Sequence, residues 1–221
     1  MKEVIMKKLL FWLALIVGTV VLLGSCAKKD HDTAAASSTS VTSTTASGSI
    51  TVGSETLSGT YVSTCNTTQF AAAAGTYTFP SDVQSGKTVI VVTSDTTFSD
   101  ETLMYTDTSC STPSAYSKNG NTSVTVGVAV DNGTIVTYNS STYKVNAYTA
   151  VARDNLTAAL IANISDIDLT TLGQEFSSTG SSSAYKNVWS VTSTTFQQGE
   201  ELDNGTQPAA IDSMVMTKSC E

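Results

Sequence analysis

Residues 124–130 read Val-Thr-Val-Gly-Val-Ala-Val, with a valine at every second position. A period of two gathers those valines on one face of a strand, whereas a helix would scatter them around its circumference. Asp131-Asn132-Gly133 follows, a run whose residues tolerate the positive φ of a tight hairpin. Residues 134–138 then read as the return strand, 139–141 (NSS) as a second polar turn, and 143–151 as a third strand. The pattern predicts a meander of three antiparallel strands. Further strands are expected at 57–64, 87–94, 98–106, 186–192, 194–197 and 211–218. Residues 75–79 are apolar enough, but Pro80 removes a ladder donor and confines them to an edge or a loop. In 155–164 (NLTAALIANI), Leu156, Leu160 and Ile164 recur every four positions behind Asp154, a candidate N-cap. A short helix and a strand both fit there. Residues 177–183 read as a loop.

A set of about eight to ten antiparallel strands must hide its edges, which closure into a barrel does fully and two packed sheets do less completely. The expected fold is therefore all-β, an antiparallel up-and-down barrel with one short helix at most. A β-sandwich is the alternative.

A different hydropathy pattern opens the chain. MKEVIMKK carries three lysines, LLFWLALIVGTVVLL carries no charge, and Gly24-Ser25 are small. That is the layout of a secretory signal peptide. Its fifteen-residue apolar run would span roughly 22 Å as a helix, short of a ~30 Å hydrocarbon core. The segment Leu23-Gly24-Ser25-Cys26 resembles the lipobox of bacterial lipoproteins. The resemblance implies that Cys26 receives a diacylglycerol, that residues 1–25 are removed, and that the lipid is the partner tying the chain to a membrane. With Ala27 rather than Asp next, it further implies the outer membrane of the cell envelope. Two or three acyl chains anchor stably where one does not.

Residues 27–50 (AKKDHDTAAASSTSVTSTTASGSI) offer little to bury, so 26–50 is expected to be a disordered spacer. Such a coil reaches roughly 25–30 Å on average. Residues 51–221 suit one domain.

Composition narrows the partners. The formal net charge is −8, and losing the lysine-rich leader makes the remainder more acidic, which disfavours nucleic acid. Cys65, Cys110 and Cys220 remain after lipidation, an odd number, so one is unpaired within a monomer. Cys65–Cys110 is the favoured disulfide, closing a loop worth roughly 4 kcal/mol in the chain-entropy account. Pairing through Cys220, or no bond, stays open. If 57–64, 87–94 and 98–106 are successive strands, the first and third run the same way and both cysteines follow one rim. A strand inserted at 75–79 would separate them.

GTYVSTC (59–65) followed by YTDTSCSTP (105–113) looks like the small lipocalin-like lipoprotein domains of bacteria, as does WSVTSTTF (189–196) with 208–218 as closing strands. The resemblance implies a barrel able to hold a small apolar ligand. The stretches 66–86 and 152–171 depart from it.

The chemistry is sparse. His31, between Asp30 and Asp32, is the only histidine, so the domain lacks one for a Ser-His-Asp or Cys-His site or an imidazole-bound zinc. No CxxC pair and no phosphate-cradling glycine loop occurs. Asp166 and Asp168 would share a face if on a strand, and Glu200, Glu201 and Asp203 form an acidic turn; solvated surface is the expectation for both. Tyr61, Phe98, Tyr105, Tyr138, Tyr143 and Trp189 fall on expected strands, either as core or as the lining of a ligand site. No cofactor and no catalytic residue is expected. The expected function is a non-enzymatic, membrane-anchored lipoprotein binding a small apolar molecule or another envelope component. A β-sandwich module recognising protein or glycan is the alternative, and a carboxylate-dependent hydrolase the third.

Overall fold

The computed structural model describes residues 42–164, 166–179, 184–199 and 210–219. Cys26, His31, Glu200, Glu201, Asp203 and Cys220, with the expected signal and most of the expected spacer, lie outside the described residues.

Nine strands follow a short hairpin of β1 (Ile50–Val52) and β2 (Glu55–Leu57). They are β3 (Thr60–Ser63), β4 (Ser85–Val92), β5 (Phe98–Tyr105), β6 (Pro113–Val130), β7 (Gly133–Ala147), β8 (Glu175–Thr179), β9 (Ala184–Val191), β10 (Thr195–Gln198) and β11 (Met216–Lys218). Eight of them close into an antiparallel barrel in the order β3-β4-β5-β6-β7-β9-β10-β11, with β11 pairing back onto β3 through Met216↔Ser63 and Lys218↔Tyr61. Closure settles the choice against two separate sheets. The outer edge of β7 is shared: Thr134 to Asn139 pair with β9, and Thr142 to Asn146 pair with the additional strand β8.

The hairpin turn at Asp131-Asn132 forms where expected, although none of residues 131–133 takes a positive φ; the second turn does not form. Residues 139–141 lie inside β7, which runs unbroken to Ala147, so β6 and β7 form one long hairpin and not two-thirds of a meander. Polar Asn139-Ser140-Ser141 is accommodated by a register shift beside Gly120, whose carbonyl accepts from Ser141 Oγ at 2.8 Å. The 57–64 strand splits into β2 and β3 around Gly59, which takes a φ of 87°.

Among the described residues, two helices complete the fold. Helix α1 (Thr67–Ala73), unforeseen in the sequence, starts at Asn66, whose side chain accepts from the Gln69 amide at 3.0 Å. Helix α2 (Ala150–Leu160) resolves the ambiguity at 155–164 in favour of helix, but its cap is Thr149 and not Asp154. Thr149 Oγ1 accepts from the Ala152 amide at 3.0 Å, and Asp154 sits within the helix paired to Arg153 Nε at 2.8 Å. The helix begins earlier because Ala150, Val151 and Ala152 continue its turns upstream of Asp154, leaving Thr149 as the first residue in extended conformation.

Alternation splits the interior into two apolar clusters. At one end Ile50, Val52 and Leu57 of the β1–β2 hairpin pack with Tyr61, Ile90, Phe98, Val136, Trp189 and Phe196. Phe98 and Phe196 meet Trp189 edge-on, with ring centroids at 5.1 and 5.2 Å. At the other end Met104 and Val145 of the barrel meet Phe70 of α1 and Leu156 and Leu160 of α2. Each such side chain, when fully buried, stabilises the fold by about 1.5–3 kcal/mol. Phe70 lies directly over Gly86, where a methyl group would overlap its ring.

Cys65 and Cys110 form a disulfide with their Cα atoms 5.9 Å apart. The parity argument holds, because β3, β4 and β5 are consecutive antiparallel neighbours and 75–79 is turn and not strand.

Outside the barrel, the chain from Thr42 to the first strand, part of the stretch expected as spacer, lies along β4 and β5. Ser47 donates its amide to the Val92 carbonyl at 2.9 Å and its hydroxyl to that of Thr93 at 2.6 Å.

Candidate functional site

The inward row of each barrel strand changes character midway. On β5 the inward residues run Phe98, Asp100, Thr102, Met104, so an apolar residue bounds a polar pair at either side. The same interruption recurs at Thr88 on β4, at Asn119 and Asn121 on β6, and at Asn187 on β9. It recurs again at Ser140 on β7 and Gln198 on β10. These polar residues face one another between the two apolar clusters and line part of a half-open cavity of about 1030 Å³. Further lining comes from Tyr138 and Tyr143 of β7, Tyr185 of β9, α1, the loop holding Tyr77 and Phe79, Leu160 at the end of α2, and Ile164 and Met214 beyond it.

Hydrogen bonds hold part of this layer in place. Asn187 Oδ1 accepts from the amides of Val188 at 2.7 Å and Gly199 at 2.8 Å, which fixes the side-chain amide that lines the cavity. Gln198 Nε2 donates to Asp100 Oδ2 at 3.4 Å. The Tyr143 hydroxyl is buried with no hydrogen-bond partner among the described residues. Burial, assisted by nearby Tyr77, pushes the Tyr143 phenol up to about 12, so at neutral pH it is a proton donor. Tyr77 itself is 70% exposed at the rim, with its backbone in the left-handed region at φ 36°.

No protein-family model matches this chain, and no curated protein is significantly similar to it.

The expected aromatic residues divide between two settings. Tyr61, Phe98 and Trp189 fill the hairpin end of the barrel, Tyr138 and Tyr143 line the cavity, and Tyr105 is not part of its lining. The interior is thus neither wholly filled nor wholly hollow. Asp166 and Asp168 lie in irregular chain after α2 and not on a strand; both are exposed and neither lines the cavity. Asp168 Oδ1 accepts from the Thr170 hydroxyl at 2.7 Å and amide at 3.0 Å, which holds its carboxyl below the usual range. Among the described residues no group of three metal-ligating side chains comes together, and no helix is long and apolar enough to cross a membrane.

Sequence reasoning missed Asp100, Thr102, Asn119, Asn121, Asn187 and Gln198. A signal existed in the polar residues that interrupt apolar rows at period two, as in FSDETLM (98–104). It becomes legible only when the inward face of each strand is known.

One further buried charge lies outside this site. Glu101, fully buried on the outer face of β5, accepts from Thr42 Oγ1 and Thr44 Oγ1 at 2.5 Å each and from Ser99 Oγ at 2.9 Å. Lys118 Nζ stands 3.8 Å away and donates to Thr44 Oγ1 at 2.6 Å. The carboxylate fastens the segment before β1 to the barrel, and its partners leave no face for a substrate.

Proposed function

We propose that this chain is a lipid-anchored lipoprotein of the bacterial cell envelope whose barrel binds one small polar ligand, and that it binds and does not catalyse. The lipobox resemblance at Leu23-Gly24-Ser25-Cys26 supports the anchor, with Cys26 as the lipidated residue and the outer membrane as its destination. One observation carries the binding reading: a cavity of about 1030 Å³ walled by the polar layer of the barrel, a volume suited to a small molecule. The apolar ligand expected from sequence fits the polar half of this lining poorly. Hydrocarbon laid against Thr102 and Asn119 would leave a hydroxyl and an amide unpaired, at about 1–3 kcal/mol each. An adhesin-like module built on a β-sandwich loses its architecture, since the sheet closes.

Two experiments test the parts separately. Cells fed labelled palmitate should incorporate it into the wild-type chain and not into Cys26→Ser; label in the serine variant overturns the anchor. A thermal-shift screen with polar and apolar small molecules should find stabilisation by a polar one, lost in Thr102→Val. Stabilisation by fatty acids alone overturns the polar-ligand reading.

A further inference from the structure

Resting on the polar-ligand reading, we infer that the ligand is a neutral saccharide, seated with a ring face on Tyr185 and its hydroxyls on the amide-rich wall. The lining is divided in character. Thr88, Thr102, Asn119, Asn121 and Ser140 present hydroxyls and amides, while Phe79, Leu160, Ile164 and Met214 present an apolar surface. A pyranose is divided the same way. Its C–H faces are apolar, and each rim hydroxyl both donates and accepts, the capacity that asparagine and glutamine amides match.

The aromatic platform is already built. Tyr138 and Tyr185 stack with centroids 5.9 Å apart and planes at 21°. Phe98 braces Tyr138 edge-on at 5.0 Å, so the pair is fixed to the filled end of the barrel. Tyr185 keeps 36% of its surface exposed although one ring face is covered by Tyr138, and it lines the cavity. Tyrosines supply rigid, amphipathic contact area at low entropic cost. Tyr77 adds a further ring at the rim.

Charge argues for a neutral ligand. Among the described residues, the charged side chains of the lining are Asp100, Lys186 and Asp212, of mixed sign. Asp212 Oδ1 already accepts from the Met214 amide at 2.8 Å, and Asp100 takes Gln198. Among the described residues, an anion or a cation would find no array of opposite charge around it.

Saturation-transfer NMR on the purified full chain separates the possibilities with three probe sets: maltose, cellobiose and diacetylchitobiose; charged dipeptides; and decanoate. Transfer to at least one disaccharide is expected, with Kd raised about tenfold in Tyr185→Ala and in Thr102→Val, both retaining the wild-type circular-dichroism spectrum. Transfer to the dipeptides and not to the sugars overturns the saccharide inference and leaves the polar-ligand reading standing. Transfer to decanoate alone, or to no probe, overturns both. Sugar binding unchanged in both variants places the saccharide elsewhere and also overturns the inference.

Discussion

Thr42 and Glu101, 59 residues apart in sequence, share a 2.5 Å hydrogen bond in which the hydroxyl donates to Oε2 of a fully buried carboxylate. Removing one donor from a buried charge exposes its desolvation cost. Thr42→Val should therefore destabilise the fold by about 1–3 kcal/mol, whereas Thr56→Val, on an exposed position of β2, should stay within about 0.5 kcal/mol. Urea denaturation of the two variants checks the difference; equal effects would show that the Thr42 hydroxyl contributes nothing to holding the segment.

Gly86 and Phe70 make a second test. Gly86→Ala overlaps the Phe70 ring and should cost about 1–3 kcal/mol by overpacking. Phe70→Ala alone should cost about 3–5 kcal/mol by leaving a cavity. The double variant should cost clearly less than the two together, because each change removes the other's defect. Strict additivity in a denaturation cycle would mean that the two residues do not share this space.

Asp107 sets an acid response. Its carboxyl accepts from Thr112, Ser109 and Ser111 and is held well below the usual carboxylate range, chiefly by those hydrogen bonds. A depressed pKa means stability that is present above the ordinary value near about 4 and is lost as pH falls below it. The Tm of the wild type should drop more steeply than that of Asp107→Asn between about pH 4 and pH 2. Parallel curves would remove the role assigned to this turn.

Tyr143 sets the opposite limb. With its phenol pushed up to about 12 by burial, it contributes stability that is complete below about pH 10 and lost as pH rises through the folded value. Tyr143→Phe should flatten the alkaline loss of Tm, and the wild-type tyrosinate absorbance should show a late-titrating component absent from the variant. An identical alkaline titration would overturn the assignment.

The half of the β6–β7 hairpin next to its turn was legible because its valines alternate without interruption and Asp131-Asn132-Gly133 supplies the turn, whereas residues 113–123 of β6 carry no such alternation. The misreading of 139–141 has the same root as the unseen cavity. Asn, Ser and Ser signal a turn when context is unknown, yet Ser140 is polar because it faces the cavity. Period-two patterns reveal that a strand has two faces; they do not say which polar residue looks inward. Helix α1 was hidden differently. Its Asn66 and Gln69 cap each other, but the seven-residue helix is too short to show a repeating apolar stripe. Asp154 looked like a cap by residue type alone, and the earlier Thr149 took that role because the intervening Ala-Val-Ala continues the helix.

The Cys65–Cys110 bond has a consequence beyond stability. Asn66, which starts α1, is the very next residue, and α1 supplies Gln69, Phe70 and Ala73 to the cavity lining. Oxidation therefore ties the residue before α1 covalently to the turn between β5 and β6. In reducing surroundings the chain would fold without that covalent tie, and one wall of the cavity would be held by packing and hydrogen bonds alone.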